Sequence, residues 1–234
     1  MYMENVRMHF GPATAYSALR SLIARHKALW LDVPFAASAM IGLLLFTGSL
    51  FVNYNALKYA TREVGSPTTD ILLSNLPVIN TDIVFSEGAV LFVAFIIGLL
   101  VWEPKAIPCT LKSIALFVCI RSGFVIMTHL GRIPNHIAAD LYSLRYLSSG
   151  ADLFFSGHTG LPFLMALLFW EQRHLRHVFL LCSAVAATAV IFGHLHYTID
   201  VFSAFFITYG IYHLSRRFFP KDYAAFVHYG QEGA

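Results

Sequence analysis

Long apolar runs separated by short polar breaks fill most of this chain. Six of them read as helices, at about 33–54, 84–102, 107–129, 155–170, 178–195 and 197–214. Some fall short of the ~20 residues that cross a hydrocarbon core, and flanking aromatics extend them to the interfaces. No run alternates apolar and polar residues as a barrel strand does, so helices are the way to satisfy this backbone in lipid. The pattern predicts an all-α membrane protein with six transmembrane helices. Two larger loops, roughly 55–83 and 130–154, carry Pro, Asn and Gly. No internal repeat breaks the chain into halves. The expected plan is an amino-terminal segment over 1–32, one six-helix catalytic domain over 33–214 and a tail over 215–234.

Composition agrees with the pattern. Hydrophobic residues make up 57% and charged residues 12% of the 234, which excludes an ordinary soluble domain. Three cysteines, Cys109, Cys119 and Cys182, are too few and too apolar in setting for a disulfide framework. A net charge of +3 with no long basic run gives no nucleic-acid stripe. The first thirty residues lack a short apolar core followed by a cleavage site, so no cleaved signal peptide is expected.

Charge adds an orientation. Arg7, Arg20, Arg25, Lys27, Lys105, Lys112, Arg173, Arg176, Arg216, Arg217 and Lys221 fall on one side of the predicted spans. Only Lys58, Arg62, Arg132 and Arg145 fall on the other, with Arg121 inside the third span. The positive-inside rule then puts both termini in the cytoplasm, with 1–32 and 215–234 as cytoplasmic segments.

The chemistry lies in two short segments. Ser156-Gly157-His158-Thr159 opens the fourth span, and His196-Tyr197-Thr198-Ile199-Asp200 marks the bend between the fifth and sixth. Ionisable residues at such depths are costly and mark functional sites. In the predicted topology Asp152, His158, His196, Asp200 and Glu87 gather on the non-cytoplasmic side, with Arg121 deeper. His196 and Asp200 are four residues apart and would share a helix face. The carboxylate can hold one ring nitrogen and leave the other to attack phosphorus. His158, after a Ser-Gly turn, is placed to protonate a leaving oxygen and deprotonate an incoming hydroxyl. Arg121 and N–H groups near Gly157 would hold phosphate charge. No carboxylate cluster suited to Mg²⁺ is present, so no metal and no cofactor are expected.

The segment from about Glu87 to His213 resembles the sphingomyelin synthase and ceramide phosphoethanolamine synthase family, within the type-2 phosphatidic acid phosphatase superfamily. Asp152-x-x-x-Ser156-Gly157-His158-Thr159 is similar to that family's third motif. His194-Leu195-His196-Tyr197-Thr198-Ile199-Asp200-Val201 is similar to its fourth. Arg121 with Thr128 echoes the second motif, and Leu76-Pro77 faintly echoes the first. The resemblance implies a sphingomyelin synthase-like phosphotransferase with six helices and a lumenal or extracellular (periplasmic in a bacterium) site. A phospho-head-group, phosphocholine or phosphoethanolamine, would pass from a glycerophospholipid donor to ceramide or another lipid acceptor through a phosphohistidine. Diacylglycerol would be released, the bilayer would be the setting, and homo-oligomerisation stays open. His158, His196 and Asp200 would be catalytic, and Arg121, Glu87, Asp152, Ser156, Gly157 and Tyr197 would bind substrate.

Departures from the pattern bear on specificity. Gly150-Ala151-Asp152 has Ala where the family places Gly beside a Cys, and the acidic residue after Leu76-Pro77 is missing. The phosphatase branch places an Arg six residues before the second His, and Val190 stands there. A phosphomonoester carries close to −2 at neutral pH. One well-placed Arg suits a singly charged diester better. Other readings stay open: Glu87 as a partner of Arg121, Asp152 as a helix cap, Phe154, Phe155 and Tyr197 as a choline pocket, and His129, His194 and His213 as packed residues. The rival enzyme is a lipid phosphate phosphatase or a phospholipase C-like hydrolase. The non-enzyme rival is a haem-binding or transport protein.

Overall fold

The structure, a computed structural model, describes residues 12–131, 133 and 153–232. Every regular element among them is helical. Asp152, Arg132 and Arg145 lie outside the described residues, as does most of the loop expected at 130–154.

Helix α1, Pro12–Leu31, ends at Asp32, which caps the next helix. The Asp32 carboxylate accepts the Phe35 N–H at 3.2 Å, and Pro34 sits in the first turn, where no N–H is missed. Helix α2, Val33–Arg62, runs well past its expected end at 54 because Ala56 and Ala60 remain buried, Ala60 against Val125. Helices α3 (Asp82–Trp102) and α4 (Ile107–Met127) are joined by a tight turn at Pro104–Ala106. There follow α5 (Gly157–Leu168), α6 (Arg173–Phe192), α7 (Thr198–Phe218) and α8 (Pro220–Glu232).

Helices α2 to α7 correspond to the six predicted segments, but four are long and apolar enough to cross a membrane: α2, α3, α4 and α6. Helix α5 has 12 residues. Its rise of about 18 Å is less than the ~30 Å of a hydrocarbon core. Helix α7 has 21 residues, but Thr208, Tyr209, Tyr212 and His213 dilute its apolar character.

Small residues let α2 and α4 meet closely. Ala39, Gly42, Ser49, Ala56 and Ala60 are the buried positions of α2. A Cβ on Gly42 would stand 3.3 Å from the Leu111 Cβ, so a side chain there would make the two helices give by a few tenths of an ångström. The main core joins α4, α5 and α7 through Phe117, Phe155, Leu164, Met165 and Ile211. Gly160 is its tightest point: a Cβ would stand 2.8 Å from Thr208 Oγ1 and 2.9 Å from the Phe117 ring.

The loops divide between two ends of the bundle. At one end Ile79 N–H donates to Phe192 O, Gly65 N–H to His129 O and Ser156 N–H to Asp200 O. These bonds tie together the segments that carry both histidine motifs. At the other end Lys112 Nζ donates to Asp222 and Ser38, each at 2.6 Å. That buried pair fixes α8 to α2 and α4, and Phe226 packs on Phe169 with ring centroids 4.9 Å apart. The segment expected as a tail is thus packed into the bundle, and α7 runs through the expected domain end at 214.

Candidate active site

His196 precedes α7 rather than lying on it, contrary to the sequence expectation of a shared helix face. The chain turns sharply first: His194 holds a left-handed backbone (φ 51°) and Tyr197 is extended before Thr198 starts the helix. Asp200 is the third helical residue, and its Oδ2 accepts the Tyr197 N–H at 3.0 Å. Capping, not helical spacing, therefore brings the carboxylate to His196. His196 Nδ1 lies 3.4 Å from that oxygen and 3.1 Å from the Leu153 carbonyl. Both neighbours are acceptors, so Nδ1 carries the proton and Nε2 keeps its lone pair. The ring is buried, and so is Asp200, whose Oδ1 has no hydrogen-bond partner among the described residues.

His158 stands in the first turn of α5. Its N-cap, Ser156, makes no side-chain cap bond. The first N–H groups of a helix have no partner within it and favour an anion there. Ser156 instead donates its N–H to Asp200 O at 3.1 Å, joining the two motifs. Phe155, just before it, is strained at φ 65° and fully buried. Its carbonyl accepts from Arg121 Nε at 3.0 Å, which fixes the guanidinium beside α5. A Cβ at position 157 would stand 3.1 Å from that Nε, so any larger residue would have to displace the guanidinium by a few tenths of an ångström. The His158 ring stacks on Phe85 of α3, with centroids 4.0 Å apart and planes at 28°.

His158, Arg121 and Gly157 face a cavity of about 580 Å³ between α2, α3, α4, α5 and α6, within the usual range for ligand sites, roughly 300–1,000 Å³. Asn53 of α2, which accepts a hydrogen bond from Ser122 at 3.3 Å, adds a polar group at their level. The rest of the wall is almost wholly apolar and includes Val190. Lining residues span 84 to 93 on α3 and 181 to 190 on α6, a rise of about 14 Å. Leu50, Val84, Val93, Leu181 and Val185 line it and are also exposed on the flank of the bundle. The cavity therefore opens sideways, between helices, through an apolar mouth.

Not every expected residue joins this site. Glu87 is exposed on α3 and forms no ion pair with Arg121. Tyr197 is 1% exposed, with its hydroxyl donating to Gly131 O at 2.8 Å and accepting from Thr68 N–H at 3.2 Å. Its ring packs with Leu73, Ile133 and Leu153, and Phe155 packs on Phe117, so these aromatics do not form a choline cage. Ser156 is buried, with its hydroxyl accepting from Thr159 at 3.3 Å. Asp152 lies outside the described residues. Among the described residues no three His, Cys, Asp or Glu side chains gather as a metal cage.

Three residues near the site escaped the sequence reading. Phe85 is one of 21 phenylalanines, and Asn53 gave a usable signal only as an uncharged polar residue in an apolar run. Asp70 looks like a loop residue, yet it grips the start of α7. Its carboxylate accepts the Thr198 N–H at 2.6 Å, the Thr198 hydroxyl at 2.8 Å and the N–H groups of Leu72 and Leu73. Burial pushes the Asp70 carboxyl up, but the bonds from Thr198, Leu73 and Leu72 outweigh it and hold it below its ordinary value of 3.8. A depressed carboxyl stabilises the fold above its unfolded value, and the gain is lost as pH falls through the folded one. Asp70→Ala is expected to cost about 1 kcal/mol at neutral pH, as loss of a cap does. Thermal unfolding in detergent should show that difference at pH 7 and a smaller one below 3.8. An equal difference at both would mean that the carboxylate charge contributes nothing.

Residues 150–217 match the model of the PAP2 superfamily C-terminal family. The match takes in His158, His196 and Asp200, and it supports membership of the type-2 phosphatidic acid phosphatase superfamily, whose members generally act on phosphate esters. No curated protein and no solved structure matches the chain.

Proposed function

We propose that the chain is a multi-pass lipid phosphotransferase of the sphingomyelin synthase type. The observation that carries this reading is the position of His158 and Arg121 on the wall of an apolar cavity that opens to the side of the bundle. Such a cavity suits a phosphoester carried on a lipid, whose chains can enter from the bilayer while the phosphate reaches His158 and Arg121. Val190, buried on the cavity wall, leaves Arg121 as the cation there among the described residues. That favours a singly charged diester over a doubly charged monoester.

In the proposed first step His196 Nε2 attacks phosphorus of a glycerophospholipid. The bond from phosphorus to the glycerol oxygen breaks, and protonated His158 gives that oxygen its proton, releasing diacylglycerol. In the second step the hydroxyl oxygen of ceramide or a similar lipid alcohol attacks phosphorus. His158 takes the hydroxyl proton, the phosphorus–nitrogen bond breaks, and both histidines return to their starting forms. Arg121 and the N–H groups that open α5 hold the phosphate oxygens. Gly157 lines the same cavity, Ser156 acts through its N–H bond to Asp200 O, and Asp152, outside the described residues, keeps its expected role in substrate binding. No metal or cofactor enters these steps.

The test is to incubate purified protein with labelled phosphatidylcholine or phosphatidylethanolamine, with and without ceramide. Ceramide should raise diacylglycerol release and appear in the product as a phosphodiester, since an oriented acceptor outcompetes bulk water. Free phosphocholine or phosphoethanolamine, at a rate indifferent to ceramide, would instead make the protein a phospholipase C-like hydrolase. Faster cleavage of phosphatidic acid than of either diester would make it a lipid phosphate phosphatase. The cavity adds an internal control. Ala186→Phe should lower turnover of long-chain donors by about tenfold or more relative to dihexanoyl donors. Equal losses on both would remove the cavity from substrate binding.

The same reading has six spans, both termini in the cytoplasm and the site on the periplasmic, extracellular or lumenal side. It is supported by the collection of both histidine motifs at one end of the bundle and most cations at the other. A cysteine at Gln172 should resist an impermeant thiol reagent in intact cells and react after permeabilisation. A cysteine at Ser148, outside the described residues, should react in intact cells. The reverse pattern would move the site to the cytoplasmic leaflet.

A further inference from the structure

Helix α1 takes no part in the site, yet it is held at the level where two spans end. His26 Nε2 meets the Val101 carbonyl at 2.8 Å, and Arg25 lies 3.9 Å from the Glu103 carboxylate and 5.9 Å from the centre of the Trp102 ring. Trp102 closes the apolar run of α3, and a single residue, Asp32, separates the end of α1 from the start of α2. Both attachments put α1 at the end of the bundle opposite the histidines, where apolar span gives way to water.

The side of α1 that carries Ala18, Leu22, Arg25 and Leu29 is partly buried. Tyr16, Leu19, Ile23 and Trp30 stand on another side, spaced three, four and seven residues apart, and are 43–59% exposed. Four large apolar side chains in one stripe are costly in water. Arg20 and Lys27 follow Tyr16 and Ile23 at i+4, so they border the stripe along one edge. The Arg20 guanidinium lies 4.6 Å from the centre of the Tyr16 ring. No Asp or Glu occurs between residues 12 and 31.

We propose that α1 lies in the headgroup layer of the leaflet at that end of the bundle, and that this layer is anionic. Tyr16, Leu19, Ile23 and Trp30 dip towards the acyl chains, and Arg20 and Lys27 meet lipid phosphates. An apolar stripe edged by cations, on a helix without carboxylates, is the pattern of an interfacial helix. A second copy of the chain is a poorer partner, because stripes set face to face would bring their Arg20 and Lys27 side chains together. The inference does not depend on what the histidines catalyse.

The test uses the full chain in vesicles of phosphatidylcholine alone or mixed with phosphatidylglycerol, so both leaflets carry the same lipid. The signal of Trp30 is the difference in fluorescence between the wild type and Trp30→Phe. That signal should be quenched by brominated acyl chains and shielded from aqueous iodide, more strongly with phosphatidylglycerol. Each cation near an anionic surface contributes about a fivefold preference. Arg20→Gln with Lys27→Gln should therefore lower the phosphatidylglycerol-dependent partition of Trp30 by roughly tenfold or more, and raised salt should do the same to the wild type. Equal iodide access in both lipid mixtures would overturn the proposal. So would efficient cross-linking of Ile23→Cys between copies at yields that track Trp30 shielding, which would make the stripe a self-association surface.

Discussion

Replacing His196 with Asn is expected to lower turnover by roughly four to six powers of ten, as loss of a nucleophile does. The protein should still express and fold. His196 Nδ1 faces the Leu153 carbonyl at 3.1 Å and Asp200 Oδ2 at 3.4 Å. Those acceptors hold the tautomer whose lone pair lies on Nε2, the nitrogen that would form the bond to phosphorus. An Asn amide can still donate to either oxygen, so the bend before α7 should survive while the nucleophile is lost. Rapid acid-free quenching of the wild type with labelled donor should trap an acid-labile head-group adduct. The variant should show neither adduct nor product. Full activity in it would end the phosphohistidine mechanism.

The next largest effect belongs to His158. His158→Asn should slow transfer from a natural glycerophospholipid by about two to four powers of ten, the usual contribution of a general acid or base. Its ring is fixed by the Phe85 stack and lies on the cavity wall. A p-nitrophenyl ester of the same head group leaves without needing a proton. With that donor, the first-turnover burst of nitrophenol from His158→Asn should recover to within about tenfold of the wild-type rate, while transfer to the acceptor, which still needs His158 as base, stays slow and His196→Asn gives no burst. Equal loss on both donors would mean that His158 positions the substrate or the fold rather than moving a proton.

Much of the architecture was legible because apolar runs in a chain this hydrophobic have few alternatives to helices. Apolar segments of sufficient length, such as 84–102 and 107–129, became α3 and α4 with ends shifted by little. The ends that moved further did so for tertiary reasons. Helix α2 continues to Arg62 because Ala56 and Ala60 still find a partner on α4, a pairing that no local pattern reveals. The carboxyl-terminal segment looks polar enough to be a free tail. Asp222 nevertheless enters the bundle, because Lys112 is buried there and needs a counter-charge.

The two histidine motifs stood out by themselves, since ionisable groups in apolar runs are costly enough to signal a role. Their geometry did not follow from spacing. His196 and Asp200 meet through a helix cap, because the chain leaves α6 by way of a left-handed residue and starts α7 only at Thr198. Glu87 falls on the same predicted side as the motifs and could hold a catalytic His or an acceptor hydroxyl or pair with Arg121. It is nevertheless exposed on α3, and helix rotation is not legible from position along the chain. Tyr197 looked like a substrate aromatic, whereas its hydroxyl is spent between Gly131 and Thr68. Asp70 and Asn53 come from segments far from either motif. What the sequence by itself determined was local: which stretches bury themselves in lipid and which residues are too costly there to be idle. Only the tertiary structure decided which faces meet, because contacts such as Asp70 with Thr198 or Asn53 with Ser122 depend on helix rotation and loop path, and neither is set by the residues nearby.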